Sequence, residues 1–130
     1  MRGQAALSFV FLVGAVIVLI GTSLAFLAIS FVNSSFGLQA SQRALAVGTS
    51  GVHDALLQLV RNKDFSDTLG YAVPVGADTA TVTVAQNVPA AGQATVVSRG
   101  AVSVFRRTLT VVVSIHPLTG QLKLLSWQRS

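Results

Sequence analysis

Hydrophobic and polar residues follow one another along this chain in three regimes. From Ala5 to Val32 the sequence reads AALSFVFLVGAVIVLIGTSLAFLAISFV and carries no charge; Arg2 precedes it and Arg43 is the next charged residue. A helix that is apolar on every side belongs in a membrane or a large core. A bilayer's hydrocarbon core is about 30 Å thick and is crossed by about 20 helical residues. At about 1.5 Å per residue the run extends roughly 42 Å, enough to span with a turn or two left over.

The second regime is amphipathic. Leu38, Leu45, Gly48, Val52, Ala55, Leu56 and Leu59 recur in steps of three, four and seven, with Gln42, Arg43, Thr49, Ser50, His53, Asp54 and Arg61 between them. This spacing predicts a helix from about Leu38 to Asn62 with one apolar stripe. Asn33-Ser34-Ser35-Phe36-Gly37 is a weak spot between the two halves; joined collinearly, they make one helix of about 60 residues. Arg61 and Lys63 suit its C-terminal end, where cations face the negative pole of the helix dipole.

The third regime alternates with period two. Phe65 to Gly76 reads as a connecting loop containing Pro74, with a short extended piece near Tyr71–Val75. Thr79–Val84 alternates strictly and is the first full strand; Asn87–Gly92 is a turn, and Gln93–Ser98 the second strand. Arg99-Gly100 reads as a tight connection or bulge, followed by a long β-branched strand from Ala101 to Ile115. His116-Pro117-Leu118-Thr119-Gly120 is a turn, proline supplying a fixed φ and glycine a permissive one, and Gln121–Gln128 closes the set. Four strands joined by short turns predict an antiparallel meander with one face needing a cover. Leu45, Val52, Leu56 and Leu59 are the expected helix–sheet packing residues. The expected fold class is α+β: a long hydrophobic-then-amphipathic N-terminal helix with a small antiparallel sheet on its outer half.

Composition sharpens this picture in a few places. The chain has no cysteine, which removes disulfides, thiolate catalysis and cysteine zinc sites. It has no glutamate, so Asp54, Asp64, Asp67 and Asp78 are its only acidic side chains. These scattered acids fall short of the six to eight oxygen ligands that calcium takes, and no metal or other cofactor is expected. The net charge of +5 comes from dispersed cations. Arg99, Arg106, Arg107 and Lys123 are the candidate contacts for DNA or acidic surfaces. With Arg2 before the apolar run and no compensating cluster before Arg43, the N-terminus is expected on the cytoplasmic side and the sheet outside. The apolar run is longer than the 7–15 residues of a secretory signal core. No enzyme is expected: His53 and Asp54 are helical neighbours pointing about 100° apart, His116 precedes a turn proline, and no phosphate-binding loop, HExxH or GxSxG occurs.

Small residues recur at sevens in the first half: Gly14, Gly21, Ala28 and Ser35. Such a stripe drifts only about 20° per heptad and lets helix backbones approach closely, as in membrane helix association.

The opening Met1-Arg2-Gly3-Gln4-Ala5-Ala6-Leu7-Ser8 resembles the short class III leader and helix start of type IV pilins and type II secretion pseudopilins. The stretches Gln42-Arg43-Ala44-Leu45 and Gly51-Val52-His53-Asp54-Ala55-Leu56 are similar to the amphipathic half-helix of PilX-like minor pilins, and TLTVVVSIHPLTGQLKLLSWQ is similar to a pilin's closing hairpin. The resemblance implies cleavage by a prepilin peptidase after Gly3 and methylation of Gln4. It implies storage in the cytoplasmic membrane through residues 4–37, and a head of residues 64–130 packed on residues 38–63. It then implies polymerisation, driven by an assembly machinery, into an extracellular helical homo-oligomer whose core is these same helices, a fibre of the kind used in adhesion and motility. Two positions depart from the family's pattern. Ser8 stands where most members carry the glutamate that neutralises a neighbour's N-terminal ammonium, and Gln4 replaces the usual phenylalanine or methionine. Absence of that glutamate is similar to tip-type pseudopilins, so a minor or tip subunit is the alternative to a major pilin. An uncleaved single-pass protein with an external binding domain is the other.

Overall fold

A computed structural model describes residues 2–130; of the expected three-residue leader, Met1 lies outside the described residues. One helix, α1, runs from Arg2 to Arg61. No proline occurs before Pro74, so every peptide in this span keeps its donor, and the Asn33–Gly37 segment is helical throughout. The chain divides into two compact units, Met1–Gly37 and Leu38–Ser130.

The first unit is helix alone. Its few polar side chains fold back onto its own carbonyls: Thr22 Oγ1 donates to Val18 O and Leu19 O at 2.9 and 3.0 Å, and Ser23 Oγ to Leu19 O at 2.8 Å. These two hydroxyls are therefore satisfied without solvent, the arrangement a polar group needs in lipid.

The second unit holds the end of α1 and five antiparallel strands in sequence order. These are β1 (Asp67–Val75), β2 (Asp78–Gln86), β3 (Gln93–Val102), β4 (Phe105–Ile115) and β5 (Leu122–Arg129). The α+β architecture is the expected one, with three corrections in the sheet. The segment read as a loop before Gly76 is a full strand, β1. Its Pro74 is tolerated because β1 is an edge strand, and Gly70 (φ 98°) sits where the register slips between Asp67 and Tyr71. Arg99-Gly100 is no connection but the interior of β3, where Arg99 faces Thr108 and Gly100 faces Arg107. The real turn is Ser103-Val104, with Ser103 at φ 54°, so the long strand expected from Ala101 splits there.

Helix α1 ends at Arg61 through a local device. Asn62 N still bonds Gln58 O, while Asn62 Oδ1 accepts from Asp64 N and Asn62 O from Phe65 N, which turns the chain toward β1. The core lies between α1 and the inner face of the sheet: Val52 and Leu59 from the helix, Val82, Val84, Val96, Leu109, Val111 and Val113 from the strands. Of the expected packing residues, Val52 and Leu59 are completely buried, whereas Leu45 and Leu56 are half-buried at the margin. The centre of the helix face is instead a line of small residues, Ala44, Gly48, Gly51 and Ala55, all buried.

That line sets the distance between the layers. A Cβ on Gly51 would fall 2.9 Å from both Ala80 Cβ and Val82 Cγ2, and one on Gly100 would strike Ala44 O and the backbone of Gly48. The two backbones thus meet nearly without side chains between them. Ser98, the one buried polar side chain among the described residues, donates from Oγ to Gly48 O at 2.7 Å. Ser98→Ala is expected to destabilise the second unit by about 1 kcal/mol, since Gly48 O keeps its helical partner. Denaturant unfolding in detergent, read by Trp127, the only tryptophan, measures it; a loss near zero would mean that the bond contributes nothing beyond what water supplies.

Candidate functional site

The largest surface feature is the apolar face of α1 itself. Large hydrophobic side chains from Leu7 to Val32 are exposed by 41% (Val13) to 80% (Phe11), and α1 is long and apolar enough to cross a membrane. A contiguous apolar surface of this length is not left to water and marks contact with lipid or protein. Gly3 and Gln4, the expected processing pair, lie exposed near the start of α1. Ser8, Gly14, Gly21 and Ala28 are exposed, and Ser35 is half-buried. A Cβ at Gly14 or Gly21 would meet nothing within 4 Å, so no packing among the described residues accounts for these glycines. At Gly14 the missing side chain leaves an apolar notch lined by Val10, Phe11, Ala15, Val18 and Leu19.

The four expected surface cations do not form one group. Arg99 and Arg106 project from the outer face of the sheet on adjacent strands, since Arg99 pairs with Thr108 and Arg106 with Ala101. They frame a shallow depression with Thr79, Thr81, Ala101 and Thr108. Arg107 points to the opposite face, where its Nε and Nη2 donate to Ser41 Oγ at 2.9 and 2.6 Å. Lys123 faces Ser114, about six residues and roughly 20 Å further along β4. Only Arg99 and Arg106 are brought together. Sequence reading missed Arg129, which sits beside Arg107 over a cleft with Ser41, Gln42 and Leu45; its pairing with Leu109 depends on the bulge at Val112/Val113, which leaves no signal in the sequence.

Asp78, Asp67 and His116 have structural occupations. Asp78 pairs with Arg43 at 2.6 Å, an exposed ion pair of small energetic weight. Asp67 Oδ1 accepts from Gly70 N and fixes the β1 bulge. His116 Nδ1 accepts from Leu118 N and Thr119 N, holding the β4–β5 turn. His53 is exposed, its ring 6.5 Å from that of Trp127. Among the described residues no three metal-binding side chains come together.

Tyr71 is the one strongly perturbed titratable group among the described residues. Its ring packs edge-on against Phe65, and its hydroxyl oxygen is shielded from solvent with no partner at hydrogen-bond geometry. Burial foremost, then the Asp54 carboxylate through its attraction for the phenolic proton and its charge, then the charge of Asp67, raise its ionisation well above the ordinary value of 10.0. A phenol whose folded pKa is raised contributes stability that is complete below pH about 10 and is lost as pH climbs toward the folded value. Tyr71 is the only tyrosine, so absorbance at phenolate wavelengths reports it alone. No titration is expected near pH 10 while the unit stays folded. Tyr71→Phe should change stability by no more than about 1 kcal/mol, because the shielded hydroxyl has only the Asp54 carboxylate beside it as an acceptor and the two are not at good hydrogen-bond geometry. Ordinary titration near pH 10 would show the hydroxyl to be hydrated.

Compared with protein-family models, with curated proteins and with solved structures, the chain finds no match in any of the three.

Proposed function

We propose that this chain is a structural subunit of a type IV pilus-like extracellular filament. The observation that carries the reading is one uninterrupted helix with two unlike halves. The first presents an apolar surface that nothing among the described residues covers; the second packs closely on a sheet through its small residues. A bilayer can cover the first half during storage, and the same half of neighbouring copies can cover it in a fibre. Each large apolar side chain so buried contributes on the order of 1.5–3 kcal/mol relative to water. Gly14 and Gly21 would let backbones approach closely along the fibre core. Cleavage after Gly3 by a prepilin peptidase would free Gln4 as the new N-terminus.

A minor or tip subunit is the second reading, favoured by Ser8. An N-terminal ammonium carried into an apolar bundle is costly unless paired, and Ser8 offers a hydroxyl but no charge. Ser8→Glu is expected to raise filament yield if that unpaired ammonium limits assembly; an unchanged yield would assign the compensation to another group.

The experiment that tests the proposal is the intact mass and N-terminal peptide of the chain in sheared extracellular material. A product beginning at Gln4 and abundant in filaments is expected. The same product in trace amounts would make it a minor or tip subunit. A chain that keeps Met1 and stays in membranes would overturn the filament reading and leave an uncleaved single-pass anchor.

A further inference from the structure

One end of the second unit concentrates positive charge around an apolar tip. The β1–β2 turn at Gly76-Ala77, the β3–β4 turn at Ser103-Val104 and the close of β5 all lie at this end of the sheet, as the pairings Val75↔Asp78, Val102↔Phe105 and Leu109↔Arg129 require. Helix α1 joins the sheet at the same end, where Arg107 holds Ser41, Arg43 holds Asp78, and Gly100 lies against Ala44. Five arginines therefore share this end, Arg99 and Arg106 on the outer face of the sheet and Arg43, Arg107 and Arg129 on the helix side or at its margin. Asp78 is the only acidic side chain among them, and it is occupied by Arg43. The far end is nearly balanced, with Arg61, Lys63 and Lys123 beside Asp64 and Asp67. At the tip of the basic end Val104 is 83% exposed and Phe105 37% exposed.

The chain reaches this end soon after its apolar segment, for Ser41 follows Val32 by nine residues. Guanidinium groups are weakly hydrated forks that match phosphate oxygens. Side chains such as Val104 and Phe105 enter the boundary between head groups and acyl chains when basic neighbours attract an anionic surface. A nucleic-acid surface would call for a basic stripe and gives no role to an apolar tip.

We propose that this end of the unit docks on the phosphates of anionic lipid head groups, with the β3–β4 turn dipping into the interface. The inference rests on the membrane-anchored state of the reading above and does not depend on polymerisation. Docking would hold the stored subunit against its own membrane, and withdrawal would have to break it.

The full chain, which has no native cysteine, is reconstituted carrying Val104→Cys labelled with an environment-sensitive dye. Vesicles of phosphatidylcholine alone are compared with vesicles containing about one third phosphatidylglycerol. In the anionic vesicles the emission should shift to the blue and acrylamide quenching fall about three-fold. The same label at Leu118→Cys, in the β4–β5 turn at the opposite end, should not respond. Arg106→Gln with Arg129→Gln should abolish the difference, and so should salt of about 1 M, where the screening length is about 3 Å. The salt arm keeps the test decisive if the double variant misfolds, which Trp127 emission reports.

Equal quenching in both vesicle types would overturn the proposal, as would protection that survives the double substitution in a folded chain. Protection by duplex DNA on neutral vesicles would move the site to nucleic acid and overturn it too. Flotation separates the two readings: a chain that floats with neutral vesicles but shows no lipid-charge response is anchored and undocked, whereas one that fails to float removes the anchored state as well.

Discussion

Gly100→Ala is expected to destabilise the second unit by about 3 kcal/mol or more, at the upper end of what overpacking costs. The sign is informative, because in an ordinary strand the same change is favourable by roughly 0.5–1 kcal/mol. Here the new methyl would meet Ala44 O and the backbone of Gly48. Neither is the end of a flexible side chain, so relief requires α1 to lift from β3 and to loosen every contact between them. Two neighbouring glycines give graded comparisons. A Cβ on Gly51 meets only side chains, of Ser98, Ala80 and Val82; one on Gly48 comes within 2.9 Å of Leu109 Cδ1, which can rotate, and 3.4 Å from Gly100 N. Helix propensity returns about 1 kcal/mol at either helical position. The expected order of damage is Gly100, then Gly51, then Gly48, the last near neutral. Thermal unfolding in detergent, followed by near-ultraviolet circular dichroism, measures all three. A stable Gly100→Ala protein would mean that helix and strand do not touch there.

Val16→Lys combined with Ile20→Lys is the second large effect. Each lysine at the middle of a span costs about 2.5–3.5 kcal/mol on insertion scales, and two on one helical face act together. The alkali-resistant membrane fraction should fall at least about ten-fold. Unfolding of the second unit should not change, because Val16 and Ile20 are about half exposed and belong to the other compact unit. This separation of effects is the useful result. Full retention in the membrane fraction would mean that Ala5–Val32 is not what holds the chain there. Loss of second-unit stability would mean that the segment packs on the sheet.

Helix and sheet were legible to different degrees. The absence of charge over Ala5–Val32 and the three-four spacing after Leu38 are local patterns, and both lie in α1 as they predict. The strands were legible wherever valine and threonine alternate, as in β2 and β4. They were misread where one residue had two physical meanings. Gly100 looked like a turn glycine because turns are the commonest use of glycine; its cause is instead a helix that arrives from fifty residues earlier in sequence, as the Ser98–Gly48 bond records. Gly70 and Pro74 looked like loop punctuation, but an edge strand accepts both. Ser103, with no sequence signal for a left-handed φ, made the turn it occupies look like a strand.

The candidate surfaces divide in the same way. By itself the sequence determined that the chain has a long uncharged apolar segment, an amphipathic continuation and an alternating C-terminal half, because period and charge are properties of neighbours along the chain. Only the tertiary structure decided which small residues carry the helix–sheet contact, that Arg107 turns inward to Ser41 while Arg99 and Arg106 face out together, and that Arg129 joins Arg107. Those outcomes depend on strand register, in which a shift of one residue exchanges the two faces of a sheet. Register is set by bulges, turns and close backbone contacts between segments far apart in sequence, and no local pattern carries it.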